Sequence, residues 1–212
     1  MECIDPEQTL VYLYHWISNR VCADIYGALM IHGGCGTCNG KRFILCGGKG
    51  VGKTTLLCQL LFHGVSSQSD DIVFLDDQEA EPYPGKFRIK EGTLALLPHL
   101  KPVCRRLKPY PDFSGEKVYF FDPSDAGFKE PITKGKVDVF IYLTSDRGEK
   151  TEINPCPKFM MVQNILTMTL NLEQDARFQI RSLCRAVDAG RCYTLQIKSI
   201  EQAVGMVKKV LS

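Results

Sequence analysis

Apolar residues change their spacing several times along this chain, and each change marks an element. Around Leu10 to Ile17 they recur at mixed spacing and include Trp16, which predicts a helix or an irregular cover packed on the body. From Ile25 to His32 the pattern is strand-like, and Lys41 to Cys46 forms a short run that is apolar from Phe43 and ends at glycine. Helical spacing then holds from Lys53 to His63. Leu56, Leu57, Leu60 and Leu61 fall on one side, and Gly64 stands where a left-handed cap residue belongs. Further strands are predicted at Ile72 to Leu75, Val118 to Phe121 and Val137 to Leu143, separated by loops at Pro82 to Gly85, Pro109 to Gly115 and Pro123 to Gly127. After Asn154-Pro155-Cys156-Pro157 the pattern turns helical, over Met160 to Leu170 and Asp175 to Val187. A strand at Tyr193 to Ile197 follows, and Ser199 opens a last helix in which Gln202 reaches back as in a capping box. This order of elements is that of an α/β protein with a helical C-terminal tail.

Composition narrows the class. With 212 residues, 44% hydrophobic and 24% charged, the chain is long enough for one sizeable core, and a single domain is expected. A formal net charge of +2 is too near neutral for a dedicated nucleic-acid binder. The first residues, Met1 to Glu7, are acidic where a leader would be basic. The longest apolar-rich run, Phe159 to Leu172, is interrupted by Gln163 and Asn164, so no membrane span is expected and the protein should be cytoplasmic. Ten cysteines then read as reduced thiols. Their one close pair, Cys35-Gly-Thr-Cys38, has His32 and His63 as nearest imidazoles and no second pair at ligand spacing. It reads better as a turn, with Gly33-Gly34 and Asn39-Gly40 supplying positive φ, than as half of a zinc site.

The chemistry lies in Gly47-Gly48-Lys49-Gly50-Val51-Gly52-Lys53-Thr54, which fits G-x-x-x-x-G-K-[ST] between a strand and a helix. Glycines allow successive backbone N–H groups to turn inward around phosphate oxygens, and the helix start at Lys53, Thr54 and Thr55 adds its positive dipole end. Lys53 is placed to reach the β- and γ-phosphates of ATP, and Thr54 to offer a hydroxyl to Mg²⁺. A carboxylate must complete such a metal site. Asp70-Asp71, Asp76-Asp77 and Asp122 are the candidates, and the apolar runs before Asp76 and Asp122 favour those two on pattern alone.

The stretch from Ile31 to Leu75, with His32, the glycine loop and Ser69-Asp70-Asp71-Ile72-Val73, resembles the catalytic domain of HPr kinase/phosphorylase, a P-loop family similar in fold to phosphoenolpyruvate carboxykinase. His32 lies fifteen positions before Gly47, and Asp70 lies twenty-three after it. The resemblance implies one HPr-kinase-like domain over 1–212, a P-loop core over about 25–145 with a mixed sheet and flanking helices, and a helical part over about 155–212. It implies that Asp70 and Asp71 divide two tasks, one accepting a proton from an attacking hydroxyl and the other helping to hold Mg²⁺ with Thr54; Asp70 is assigned here as the base and Asp71 as the metal partner, and the reverse order stays open. It also puts His32 near the transferred phosphate. Lys86, Arg88 and Lys90 alternate and would share a strand face, to meet phosphate or an acidic substrate or to face solvent. Arg177, Arg181 and Arg185 fall on one helix face and read as solvent-facing.

Bifunctional HPr kinases carry a separate N-terminal domain and a glycine-containing signature loop; 212 residues are expected to have no room for that domain, no such loop is legible beyond the aspartates, and HPr itself is therefore not the expected acceptor. Two classes remain. One is an ATP-dependent kinase acting on a hydroxyl of a peptide, a protein or a small molecule, as a monomer or a homo-oligomer; the other is a nucleotide-binding accessory module without efficient transfer. A base beside the γ-phosphate has no use in a pure binder, which favours the kinase. No Asn/Thr-Lys-x-Asp tetrad supports guanine specificity.

Overall fold

A computed structural model describes residues 6–23, 28–112, 114–129, 131–146, 148–172 and 176–212. Residues 25–27 of the first predicted strand and Asp175 lie outside them. In chain order the elements are α1 (Pro6–Ala23), β1 (Leu29–Cys38), β2 (Lys41–Gly47), α2 (Lys53–Phe62), β3 (Ser66–Ser69), β4 (Ile72–Asp76), β5 (Glu79–Pro82), β6 (Phe87–Lys90), α3 (Glu91–Leu96), α4 (Lys101–Cys104), β7 (Pro109–Pro111), β8 (Lys117–Phe121), β9 (Gly135–Lys136), β10 (Val139–Leu143), β11 (Glu152–Pro155), α5 (Lys158–Leu166), α6 (Ala176–Ala189), β12 (Arg191–Gln196) and α7 (Ile200–Val210). Contacts gather them into two compact units, Gly27–Gly85 with Glu130–Ser212, and Met1–Tyr26 with Lys86–Lys129.

The first of these units is built on a mixed sheet in the order β11-β12-β10-β2-β1-β4-β5-β9, with β3 also pairing β1. β10 runs parallel to both β2 and β12, whereas β1 runs antiparallel to β2, β3 and β4. Phe43, Ile44, Leu45 and Cys46 of β2 are all buried, because helices cover both faces of a central strand and leave no solvent side for polar residues. On one face Ile44, Cys46 and Phe140 pack with Met161 and Ile165 of α5 and with Leu183, Ala186 and Val187 of α6. On the other face α2 comes so close to β1 that a Cβ on Gly34 would stand 2.2 Å from Leu57 Cδ1 and 2.8 Å from the Ser69 carbonyl oxygen. Gly34→Ala is therefore expected to destabilise the chain by about 1–3 kcal/mol through overpacking. A lowered urea midpoint for that variant, beside an unchanged or raised one for Gly92→Ala in open space on α3, checks it.

Several expectations change here. Cys35 and Cys38 lie inside β1 and not in a turn. The turn is Asn39-Gly40, with φ of 52° and 77°, and Gly33-Gly34 serve close approach instead of positive φ. Leu56, Leu57, Leu60 and Leu61 are buried, but so are Thr55, Cys58 and Gln59, so α2 is covered nearly all round. The helix ends as expected, with Gly64 at φ 78° and the bonds Gly64 N to Leu61 O and Val65 N to Leu60 O. The helix predicted to run to Leu170 stops at Leu166. The chain is then captured by the edge of β1, through His32 N to Met168 O at 2.7 Å and Leu170 N to Met30 O at 2.9 Å. At α7, Ser199 Oγ accepts from Gln202 N, but the Ser199 N–H goes to Thr151 Oγ1 at 2.7 Å, the place the Gln202 side chain would take in a capping box.

In the second unit β8 is flanked by β6 and β7 in a three-stranded antiparallel sheet, so the run Val118 to Phe121 does not join the sheet of the glycine loop. β7 lies within the stretch predicted as a loop from Pro109 to Gly115. Phe87 and Phe121 meet edge to face at 6.1 Å, and Tyr14 of α1 meets Phe120 at 5.3 Å. Asp112 organises the β7–β8 connection, accepting from Lys90 Nζ at 2.7 Å, Ser114 N at 2.8 Å and Glu116 N at 3.1 Å. Burial pushes its carboxyl up, yet the bonds from Lys90, Ser114 and Glu116 outweigh that and hold it well below its ordinary 3.8. A depressed carboxylate adds stability above its unfolded value and loses it as pH falls through the folded one. Asp112→Asn is thus expected to cost about 1–2 kcal/mol at pH 7. The difference from wild type should narrow steadily below pH 3.8, as thermal unfolding at pH 7 and pH 3 would show.

Candidate functional site

β2 delivers Gly47 to the carboxyl edge of the sheet, where Leu143 is its partner on β10. The chain then turns through Gly48, Lys49, Gly50 and Val51 to Gly52, and α2 begins at Lys53. Gly47, Gly50 and Gly52 have φ of 150°, 79° and 105°, a region costly for residues with a Cβ, so this path requires the glycines. Lys49 is exposed at the tip, and Val51 leans back toward Gly47. Lys53 is buried to 8% exposure, and its ammonium donates to the carbonyls of Gly47 at 2.8 Å and Gly48 at 3.1 Å. Beneath it the Cys46 thiol is pushed up to about 12 by burial, partly opposed by the Lys53 charge, so Cys46 acts as a packing residue and not as a nucleophile.

The aspartate pair lies between β3 and β4 and splits in two directions. Thr54 Oγ1 donates to Asp70 Oδ2 at 3.0 Å, joining the first turn of α2 to a carboxylate that is 7% exposed. Asp71 turns to the other side and meets His32, whose Nδ1 is 3.1 Å from Asp71 Oδ1 and 3.1 Å from the Asp71 carbonyl oxygen. His32 is held in turn by β1, opposite Ile72 of β4, and by its backbone bond to Met168. The structure thus brings Lys53, Thr54 and Asp70 together, and Asp71 and His32 together, at the end of β2.

The pattern-favoured acids are elsewhere. Asp122 caps the 3₁₀ turn Pro123–Ala126, accepting from Ser124 N, and belongs to the other compact unit. Asp76 pairs with Lys134 at 3.5 Å and Asp77 with Arg185 at 3.3 Å on exposed surface. Lys90 is held by Asp112 and Glu116, and Arg177, Arg181 and Arg185 are exposed on α6. Sequence reading missed Met168, which sets the backbone of His32 from 136 positions away and carries no local signal.

One solved structure has a similar outline. It is that of the Hpr(Ser) kinase/phosphatase from Coxiella burnetii, with a TM-score of 0.44 and 11% identity over 85% of this chain and 95% of that one. No protein-family model matches the sequence, and no curated protein matches it. The chemistry of the site therefore stands on the residues of this chain.

Their donor set suits a hard cation. Two oxygens bound side by side to Mg²⁺ at octahedral distances stand about 3 Å apart, the spacing of Thr54 Oγ1 and Asp70 Oδ2. Among the described residues no cluster of three or more His, Cys, Asp or Glu stands at metal-binding distance. No helix among the described residues is long and apolar enough to cross a membrane.

Proposed function

We propose that this chain is an ATP- and Mg²⁺-dependent kinase that transfers a phosphoryl group to a serine-type hydroxyl of a peptide, a protein or a small molecule. The contact that carries the reading is Thr54 Oγ1 to Asp70 Oδ2 at 3.0 Å, at the start of a helix that follows the glycine loop. Phosphoryl transfer asks a protein mainly for positioning and neutralisation of charge. The N–H groups of Gly48 to Thr55 cradle the phosphates, and Lys53 exchanges the carbonyls of Gly47 and Gly48 for the terminal phosphate oxygens. Bound Mg²⁺ would offset charge on the same oxygens, held on the protein side by Thr54 and Asp70.

Asp71 and His32 then serve the proton. A neutral His32 that donates from Nδ1 to Asp71 keeps its lone pair on Nε2, and that nitrogen can accept the proton of the attacking hydroxyl. This division takes the reverse of the assignment of Asp70 as base and Asp71 as metal partner, because Asp70 is the acid beside Thr54 and Asp71 the one beside His32. The test is incubation with labelled ATP and a panel of serine-containing peptides and small hydroxylated compounds. Mg²⁺-dependent label on an acceptor is expected. Tight ATP binding with no acceptor labelled would replace the kinase with an accessory module.

A further inference from the structure

Phosphoryl transfer as described above uses no thiol, yet two thiols stand opposite each other across paired strands. β11 and β12 are antiparallel, with Asn154 opposite Thr194 and Pro155 opposite Tyr193. Carried one residue on, that register sets Cys156 opposite Cys192, and Cys156 N donates to Cys192 O at 2.8 Å. Among the described residues no other two cysteines are placed so: Cys35 and Cys38 lie along the same strand, and β10 stands between Cys46 and Cys192. Cys156 and Cys192 are both free and buried, on the face where Met161 and Ile165 of α5 pack with Leu183, Ala186 and Val187 of α6.

An opposed pair that shares a backbone hydrogen bond has Cα atoms about 5.5 Å apart, inside the range a disulfide spans. Its Cβ atoms stand about 4.5–5.5 Å apart in a regular ladder, and a disulfide draws them to about 3.8 Å. That closing movement falls to Cys156, because β11 ends at Pro155 and α5 does not begin until Lys158. β11 is also the outermost strand of its sheet, so its end moves without pulling a further strand. Little is broken on the way. The thiols make only long contacts, Cys156 Sγ to Pro157 O at 3.6 Å and Cys192 Sγ to Val187 O at 3.8 Å.

We propose that Cys156 and Cys192 close to a reversible disulfide when the protein meets a peroxide, and that this bond locks α5 and α6 onto β12. One thiolate attacks a peroxide oxygen, the O–O bond breaks, hydroxide leaves and the sulfur becomes a sulfenic acid. The second thiolate attacks that sulfur, the S–O bond breaks as the S–S bond forms, and a second hydroxide leaves. The two hydroxides take up the protons the thiols released and become water, so two sulfurs are oxidised and one peroxide is reduced. The bond joins positions thirty-six apart and encloses α5 and α6, the helices that cover Ile44 and Cys46 of the strand leading to the glycine loop. Closing so long a loop restricts the unfolded chain far more than the folded one. The strain of drawing in Cys156 leaves the bond easy to reduce. Burial pushes the Cys192 thiol up to about 11, with Cys156 adding to the rise and Lys158 opposing it, and burial raises Cys156 too. Thiolate is therefore scarce at pH 7, and the lock answers sustained oxidation instead of a brief pulse. The inference is independent of phosphoryl transfer and needs no nucleotide.

The test treats the full chain with hydrogen peroxide, blocks the remaining thiols with N-ethylmaleimide in denaturant, and digests without reductant for mass spectrometry. A peptide pair joined through Cys156 and Cys192 is expected, forming about tenfold faster for each pH unit from 7 to 9 as the thiolate fraction grows. The oxidised chain should melt about 5 °C or more above the reduced one, and dithiothreitol should return it to the reduced value. Cys156→Ser should lose both the joined peptides and the gain in Tm, whereas Cys184→Ser, at the exposed cysteine of α6, should keep both. The joined peptides are read on wild type, so that result stands even where Cys156→Ser fails to fold. Recovery of Cys156 or Cys192 as sulfinic or sulfonic acid, joined to a different cysteine, or still open to N-ethylmaleimide after oxidation at pH 9 would overturn the proposal. Joined peptides without a rise in Tm would overturn the lock as well. Lys53→Ala should oxidise as wild type does, so failure here and failure of the kinase reading are separable.

Discussion

Lys53→Ala is expected to lower phosphoryl transfer by about 10²–10³-fold and to weaken ATP binding. Lys53 is the first residue of α2, and its ammonium already sits within hydrogen-bond reach of the carbonyls of Gly47 and Gly48, inside the turn that would surround the phosphates. Lys49 is the other lysine of the loop, but it is exposed at the tip. The variant should fold, because an alanine at the start of a helix is well tolerated and the shape of the loop is set by Gly47, Gly50 and Gly52. Equilibrium dialysis with ATP and the labelled-acceptor assay measure the two effects separately. Wild-type affinity and turnover in the variant would end the phosphate-binding role of the loop.

The second large effect separates the two aspartates. Asp71→Asn keeps the size of the side chain and can still hydrogen-bond His32, but it removes the charge that stabilises a protonated imidazole. Transfer should fall by about 10² or more while ATP binding holds, so the loss belongs in kcat. Asp70→Asn should act differently, because its carboxylate stands beside Thr54. The Mg²⁺ concentration for half-maximal activity should rise at least tenfold, and added Mg²⁺ should restore part of the rate. His32→Asn would share the behaviour of Asp71→Asn. If instead Asp71→Asn shifts the Mg²⁺ requirement and Asp70→Asn leaves it alone, the two roles are exchanged. If neither variant differs from wild type while ATP still binds, the accessory-module reading takes the place of the kinase.

Local pattern carried much of the fold. The strand Lys41 to Cys46, the helix from Lys53 and its glycine cap at Gly64 were all legible, since each depends on residues within a few positions of one another. The glycine loop was legible for the same reason, being a single contiguous motif. Edges and partners were not. Pattern favoured Asp76 and Asp122 because each ends an apolar run, yet Asp122 follows a strand of a different sheet and Asp76 faces solvent. The resemblance to a known family, and no count of apolar residues, directed attention to Asp70 and Asp71.

What the sequence determined by itself is therefore the presence of a strand, a glycine loop and a helix in that order, with the lysine and threonine at its start. Which acid meets Thr54 was decided by the pairing of β3 and β4 with β1, which brings Asp70 to the first turn of α2 from sixteen positions away and aims Asp71 at His32. The place of His32 was decided further still along the chain, by a segment after α5 that closes on β1. The physical reason is that hydrophobic periodicity reports which side of an element is buried and says nothing of which neighbour buries it. Strand order and register, set by long-range pairing, choose among carboxylates that look alike in one dimension.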